Sequence, residues 1–294
     1  MKTSIQSYLF RAWDKALVAF VLALATLGAG QSIAAGIADT KHNLGTGNPR
    51  VGENRVTGVT AGTGTAEICV FCHTPHGADT TAPAPLWNKR LVTGAAYTTY
   101  ATLNSGTIDG SILAVGSVSL ACLSCHDGAQ AMDNIINAPG SGGLTADGGG
   151  TPGLGYTWAG PRVDASGMLT GATNAALLGI DLSNDHPIGI QYCGGGQTAA
   201  LPAGACVDAD FVLPQTALIN TNRVWWVDTP GGTPGSRQRT DMMLYTRSFS
   251  GVMGPSVECG SCHDPHAPAV DAQQVAFLRV SNASSGLCLA CHVK

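Results

Sequence analysis

Hydrophobic and polar positions follow a regular period in only a few short parts of this chain. Helical patterns occur around 120–136 and 286–293, and strand-like runs short enough to be hairpin edges occur at 188–193 and 223–228. Clusters of Gly, Ser, Thr and Pro separate these patterns and predict irregular loops; they cover 45–66, 138–160 and 229–236. The pattern therefore predicts a mostly irregular, coil-rich fold with a few short α-helices and short β-hairpins.

The first 35 residues form a separate segment. Basic residues precede an apolar run at 16–30, and small residues follow it up to Ala35. This order is typical of a secretory signal peptide that is cleaved near residue 35. A membrane anchor is the alternative, but the run is shorter than the roughly 18–20 residues that a spanning helix needs. We therefore expect 1–35 to be removed, and a mature chain without a membrane span that is exported through the periplasm and secreted to the extracellular side.

The composition excludes several classes of protein. Only 12% of the 294 residues are charged, which is too few for a coiled coil or a charge-rich disordered tail. The formal net charge is -4 and there is no basic run, so nucleic acid is not an expected partner. Aromatic residues make up only 6% of the chain. We therefore expect something other than side chains to fill part of the interior.

Eight of the ten cysteines belong to four copies of the pattern C-x-x-C-H. This pattern is the attachment signature of c-type haem, in which two thiols add to the haem vinyl groups and the adjacent His binds the iron. Zinc is the alternative, but a zinc site does not require a His after every second Cys. The sequence thus predicts four covalently attached haem c groups. Their attachment residues are Cys69, Cys72 and His73; Cys122, Cys125 and His126; Cys259, Cys262 and His263; and Cys288, Cys291 and His292.

The two remaining cysteines, Cys193 and Cys206, flank a loop of small residues. In an exported protein a disulfide between them is expected, and two free thiols are the alternative. Closing a loop of about 14 residues would stabilise the fold by roughly 3 kcal/mol.

Four histidines lie outside the motifs, and four irons would need four sixth ligands. The counts match, which favours bis-His ligation of every iron by His42, His76, His186 and His266. Methionine is the competing ligand type. The candidates Met132, Met168, Met242, Met243 and Met253 lie in no repeated context.

Two of these histidines follow a motif His three residues later, in His73-Thr-Pro-His76 and His263-Asp-Pro-His266. The axial ligands of one iron lie on opposite faces of the porphyrin, and a short link that contains Pro cannot pass around the ring. His76 and His266 are therefore expected to bind an iron other than the one beside them. The alternative is that they hydrogen-bond a haem propionate.

The other two free histidines are assigned by context. His186 is expected to serve the haem attached at Cys122 and Cys125, with Asp185 orienting an imidazole N–H. His42 could bind a haem of its own chain or reach one in a neighbouring subunit.

The positions of the motifs also suggest how the chain is organised. We expect 36–294 to form one tetrahaem cytochrome domain. Within it, the haem-pair regions 60–137 and 251–294 flank a Gly-rich insertion at 138–250.

The motif runs can be compared with known families. They comprise Ile68 to His76, Cys122 to Gly128, Ser183 to Pro187, Cys259 to His266 and Cys288 to His292, with His42 upstream. Their order resembles the tetrahaem cytochromes that polymerise into extracellular nanowires (OmcE-like). Soluble periplasmic multihaem carriers share runs similar to the first. The resemblance implies bis-His haems in a continuous chain, head-to-tail subunits and a sixth ligand donated between subunits.

A bis-His iron has no open position, so the expected function is electron transfer without bond chemistry, and not catalysis. The first hypothesis is a subunit of a conductive extracellular filament that exports electrons. In it, His42 is donated to the next copy in a head-to-tail homopolymer. Redox partner proteins or extracellular electron acceptors would complete the path. The alternatives are a monomeric periplasmic electron carrier and a multihaem reductase with one open haem.

Overall fold

The computed structural model describes residues 36–50, 52–60, 62–81, 83–91, 96–140, 153–230, 233–267 and 277–293. They belong to one structural unit, Gly36–Lys294. The predicted signal peptide at 1–35 lies outside the described residues, and so does the middle of the glycine-rich stretch at 138–160.

Helices are short and mark the C-x-x-C-H motifs. They are α1 (Ser117–His126), α2 (Cys259–Cys262) and α3 (Gly286–Leu289), with 3-10 turns at Ile37–Asp39, Cys69–Phe71, Tyr100–Leu103, Tyr192–Gly194 and Ala283–Ser285. The predicted helix at 120–136 begins earlier and ends at His126. It ends there because Gly128 adopts a left-handed conformation (φ 72°), which closes a helix and does not continue it.

Within the described ranges, seven strands form two antiparallel sheets. The smaller sheet pairs β1 (Arg55–Val56) with β2 (Trp158–Ala159). The larger has the order β3-β7-β6-β5-β4. Its strands are β3 (Ile190–Gln191), β4 (Gln215–Ile219), β5 (Asn222–Val227), β6 (Met242–Phe249) and β7 (Val252–Val257). The predicted insertion at 138–250 therefore contributes strands β2 to β6, and the predicted strand at 223–228 corresponds to β5.

Two tight turns set the register of this sheet. Asn220 and Thr221, with φ of 48° and 67°, join β4 to β5. Ser250 and Gly251, with φ of 51° and 87°, join β6 to β7. Two consecutive residues with positive φ form a type I′ turn, whose twist matches that of the flanking strands. The turns place Ile219 opposite Asn222 and Phe249 opposite Val252.

The sheet packs its apolar face onto the fourth motif. Trp225, Val227, Met242 and Leu244 are buried together with Tyr192 and Ala290. Beside them, the predicted disulfide Cys193–Cys206 is present, with 5.4 Å between the Cα atoms. Strand residues and haem-motif residues thus share one core.

Most of the other described residues lie in coil and turns, as the pattern predicts. In the part of the chain that the structure describes, no helix has the length and apolar character that crossing a bilayer requires.

Candidate functional site

Each C-x-x-C-H motif adopts a helical turn. The amide N–H of the motif His donates to the carbonyl oxygen of the first Cys at 2.7 Å in His73, 3.0 Å in His263 and 3.0 Å in His292. The second motif lies at the end of α1. A helical turn places residues three and four apart on the same face, so both sulfurs and the imidazole of a motif face the same side.

The four motifs follow one another in space in their sequence order. One hydrophobic cluster contains Cys72 and Cys125, and it also buries Phe71 and Met132. A second contains Cys122 and Cys259. A third contains Cys262 and Cys291. Each cluster thus takes one cysteine from one motif and one from the next, which makes a continuous line of attachment points.

A buried polar network reinforces the middle junction. The carboxylate of Glu258, whose side chain is fully buried, accepts hydrogen bonds from Ser119 of α1 at 2.6 Å and from Arg247 at 2.6 Å. The Ser119 hydroxyl in turn accepts the amide N–H of Cys259 at 3.1 Å. The carboxylate therefore ties the second motif to the third. Burial raises the pKa of Glu258, and the hydrogen bonds from Ser119 and Arg247 oppose that rise.

Three motif imidazoles each face one free imidazole. The ring centroids of His73 and His266 are 6.0 Å apart. Those of His186 and His263 are 6.0 Å apart, and those of His42 and His126 are 6.1 Å apart. Two imidazoles that bind one metal from opposite sides, at about 2 Å per metal–nitrogen bond, hold their centroids about 6 Å apart. The spacing therefore fits an iron between the rings of each pair.

Hydrogen bonds leave the correct ring nitrogen for a metal. His73 Nδ1 lies 2.6 Å from the Pro85 carbonyl oxygen, and His126 Nδ1 lies 2.7 Å from that of Ala176. A carbonyl only accepts, so Nδ1 carries the proton and Nε2 keeps its lone pair. His266 Nδ1 lies 3.5 Å from the carboxylate of Asp264. Such partners orient a ligating imidazole and raise its basicity.

Electrostatics keep the half-buried His42 neutral. Burial, together with the nearby imidazoles of His126, His266 and His263, lowers its pKa to about 3, while a hydrogen bond to the Pro265 carbonyl opposes this. Burial also lowers the pKa of His126. A neutral imidazole is the form that binds a metal.

The segment 263–266 reaches all three imidazole pairs. His263 faces His186, and His266 faces His73. The Pro265 carbonyl accepts a hydrogen bond from His42. A turn of four residues, stiffened by Pro265, therefore connects three candidate iron positions.

Burial also governs the cysteine thiols. It raises the pKa of Cys72 and of Cys291 to about 12 and that of Cys262 to about 11. Cys259 differs, because a hydrogen bond from the Cys122 thiol lowers its pKa. Formation of a thioether with a haem vinyl group would remove these ionisations.

Two imidazoles remain without a facing imidazole among the described residues, His76 and His292. Both are exposed. The His292 ring lies against Phe211 at 4.2 Å between centroids. His76 ends a braced turn: its carbonyl accepts hydrogen bonds from Asn137 at 2.6 Å and from Thr74 at 3.1 Å. The two rings lie at the first and last motifs of the line.

The pairing differs from the sequence expectation at three positions. His186 faces His263 of the third motif and not His126 of the second. His42 faces His126 of its own chain and is half-buried there. Asp185 accepts a hydrogen bond from Tyr100 at its backbone carbonyl, and its buried Oδ2 has no hydrogen-bond partner among the described residues.

The competing methionine ligands fall elsewhere. Met132 and Met242 are buried in the first and third hydrophobic clusters. Met253 lies partly exposed in β7. No group of three or more His, Cys, Asp and Glu side chains in the described ranges is arranged to hold a metal ion, as a zinc knuckle would be.

Sequence reasoning missed several residues of the site. Phe277 stacks on His42 at 4.1 Å between centroids, and Lys89 is fully buried beside the first two motifs. Neither belongs to a motif. Lys89 stands next to Arg90 in the sequence, and nothing in that run distinguishes a buried cation from an exposed one.

A protein-family model for a doubled CXXCH motif matches residues 254–294, which contain the third and fourth motifs. The match and the paired motifs indicate a multihaem c-type cytochrome with covalently bound haem, a class that acts in electron transfer and is typically exported. No curated protein matches the chain.

Proposed function

We propose that this chain is a tetrahaem electron-transfer cytochrome whose copies join head to tail into an extracellular conductive filament. The observation that carries the proposal is the unbroken line of four motifs, in which each hydrophobic cluster holds cysteines of two consecutive motifs. Haem supplies a one-electron carrier at each attachment point. The protein does no bond chemistry in this proposal.

The geometry supports a particular set of residues that would hold the haems in this proposal. Each C-x-x-C-H motif supplies two sulfurs and one imidazole. His266, His42 and His186 supply the opposite imidazole for the first, second and third motif respectively, because each lies 6.0–6.1 Å from the motif ring. A metal with two such ligands has no position for a substrate, which favours electron relay over catalysis.

In this proposal the fourth motif takes its second imidazole from another copy of the chain. His292 is exposed at one end of the line, and the unused His76 is exposed at the other. In the proposed filament, His76 of one copy faces His292 of the next. This contact is heterologous, and such contacts build open filaments when the rotation does not close. His76 therefore replaces His42 as the proposed donor between subunits.

The brace around His76 supports this role. Asn137 holds both the carbonyl of His76 and the hydroxyl of Thr74, at 2.6 and 2.9 Å. The ring is thus presented on a turn that is already ordered before a second copy arrives. Pre-organisation of this kind reduces the entropy lost on association.

The test compares His76→Ala with His186→Ala in the secreted, haem-loaded protein. We expect His76→Ala to give particles of single-subunit size by electron microscopy and size-exclusion chromatography. His186→Ala is the matched control, because it removes an imidazole that faces a motif of its own chain, and it should still polymerise. Filaments of normal length from His76→Ala would contradict the proposal, and so would a mass that corresponds to fewer than four attached haems.

One observation favours a second candidate function. In a single chain no described imidazole faces His292, so a monomer would leave that iron with an open position, as a reductase requires. Binding of carbon monoxide by the reduced, assembled protein, together with a high-spin signal in the oxidised form, would support this candidate. A fully low-spin assembled protein would support the filament.

A further inference from the structure

Among the described residues, one lysine is fully buried, Lys89. Its ammonium donates to three backbone carbonyl oxygens, those of Ala131 at 2.7 Å, Asn134 at 3.2 Å and Met132 at 3.4 Å. An ammonium has three N–H donors, whereas a neutral amine has two. Three acceptors therefore match the charged form.

No carboxylate of the described residues forms an ion pair with this ammonium. Asp133 is an acidic side chain close enough to interact with the ammonium through its charge. Its Oδ2 accepts the amide N–H of Tyr156 at 2.8 Å. Burial disfavours the charged form of that carboxyl and raises its pKa, although Lys89 opposes the rise. The cation is thus solvated by carbonyl dipoles and is only partly balanced by a negative charge.

The buried cation lies next to the first motif. The neighbouring Asn88 donates its amide N–H to the Cys72 carbonyl at 2.8 Å and its side-chain amide to the Val70 carbonyl at 2.6 Å. The charge of Lys89 acts on the Cys72 thiol and lowers its pKa against the effect of burial. Met132, whose carbonyl accepts from Lys89, packs in the cluster that contains Cys72.

We propose that Lys89 sets the reduction potential of the haem held by Cys69 and Cys72, and holds it above the value that the same site would have without the cation. Reduction adds one electron to that centre and lowers its charge by one unit, so a fixed positive charge nearby stabilises the reduced form. In a low-dielectric interior this attraction is screened less than at the surface. The inference rests on the proposed tetrahaem function and adds a residue that adjusts it.

The proposed effect makes the line of haems electrically asymmetric. Glu258, a buried carboxylate at the middle junction, is paired with Arg247 and therefore contributes little net charge. The haem of the first motif would then hold an electron more readily than the haem of the second motif. This first haem lies at the end of the line of motifs that carries His76.

The test is a potentiometric titration of the haem-loaded protein with Lys89 replaced by Met, followed by visible and electron paramagnetic resonance spectra. We expect one transition to move to lower potential by about a tenfold change in its equilibrium constant, or about 59 mV for one electron. Lys89→Arg, which keeps the charge, should stay near the wild type. Arg162→Met removes an exposed cation and serves as the matched control, with all transitions unchanged.

The transition can be assigned by making both measurements in a His266→Ala background, where the haem facing that position is marked by a high-spin signal. If Lys89→Met does not accumulate, Lys89→Gln keeps donors for the carbonyls without the charge and is expected to shift the same transition. Unchanged transitions in a four-haem variant without the cation would overturn this inference alone. A wild type with fewer than four haems would instead count against the proposed function.

Discussion

The imidazoles of His73 and His266 lie 6.0 Å apart with their planes only 14° from parallel, although they belong to the first and third motif regions of the chain. A short link joins His266 to His263, and His263 faces a different imidazole, that of His186. The arrangement brings the first and third motifs together at the positions where iron is expected.

This relationship predicts the effect of His266→Ala. Loss of the facing imidazole should convert one haem in four from low-spin to high-spin, because its iron loses the sixth ligand. Electron paramagnetic resonance of the oxidised protein measures the fraction. Asp264→Asn, which keeps the imidazole and changes only its hydrogen-bond partner, is the control and should remain fully low-spin. An entirely low-spin His266→Ala protein would show that His266 is not a ligand.

The turn that carries His76 predicts a milder assembly defect. Asn137→Ala removes the hydrogen bonds to the His76 carbonyl and to Thr74. We expect filaments to form only at higher protein concentration, by roughly tenfold for about 1.4 kcal/mol of lost ordering. Light scattering against concentration measures this. Asn104→Ala changes an exposed amide with one long local hydrogen bond and should leave assembly unchanged.

Core packing predicts a clear difference between two residues of adjacent strands. Trp225 is 0% exposed, and its replacement by Ala should cost about 3–5 kcal/mol. Leu218 is 62% exposed, and Leu218→Ala should change stability by no more than about 0.5 kcal/mol. Denaturant midpoints followed by circular dichroism compare the two. Equal midpoints would show that the sheet does not bury Trp225 as described.

Glu258 predicts a pH-dependent difference in stability. Burial raises its pKa above the ordinary value of 4.5, so its contribution to stability is complete below pH 4.5 and is lost as the pH rises through the folded-state pKa. The wild type should therefore lose stability relative to Glu258→Gln between pH 4 and pH 7. Denaturation midpoints of both proteins across this range give the slope. A difference that grows in favour of the wild type as the pH rises would contradict the predicted sign.

Local features of this fold could be read from the sequence, because they depend on neighbouring residues. The four helical turns follow from the motif spacing, and the disulfide follows from two cysteines around a short loop of small residues. The pair Ser250-Gly251 between two apolar runs is a hairpin signal that could have located β6 and β7 in advance.

The pairing of histidines could not be read in the same way. Which imidazole faces which motif depends on how segments far apart in sequence pack together, and spacing only excludes the nearest motif for His76 and His266. The position of His42 shows the difficulty, since its place shortly after the predicted cleavage site suggested donation to another copy. Its stacking on Phe277, and its hydrogen bond to Pro265, bring it into its own chain instead.

The four-residue turn from His263 to Pro265 and His266 has a mechanical consequence. This one proline-containing link contacts all three candidate iron positions. Thermal motion would therefore displace the three centres together and leave the distances between them nearly constant. The rate of electron hopping depends steeply on such gaps. A proline-stiffened corner of this kind would therefore keep transport through the subunit uniform while the surrounding coil fluctuates.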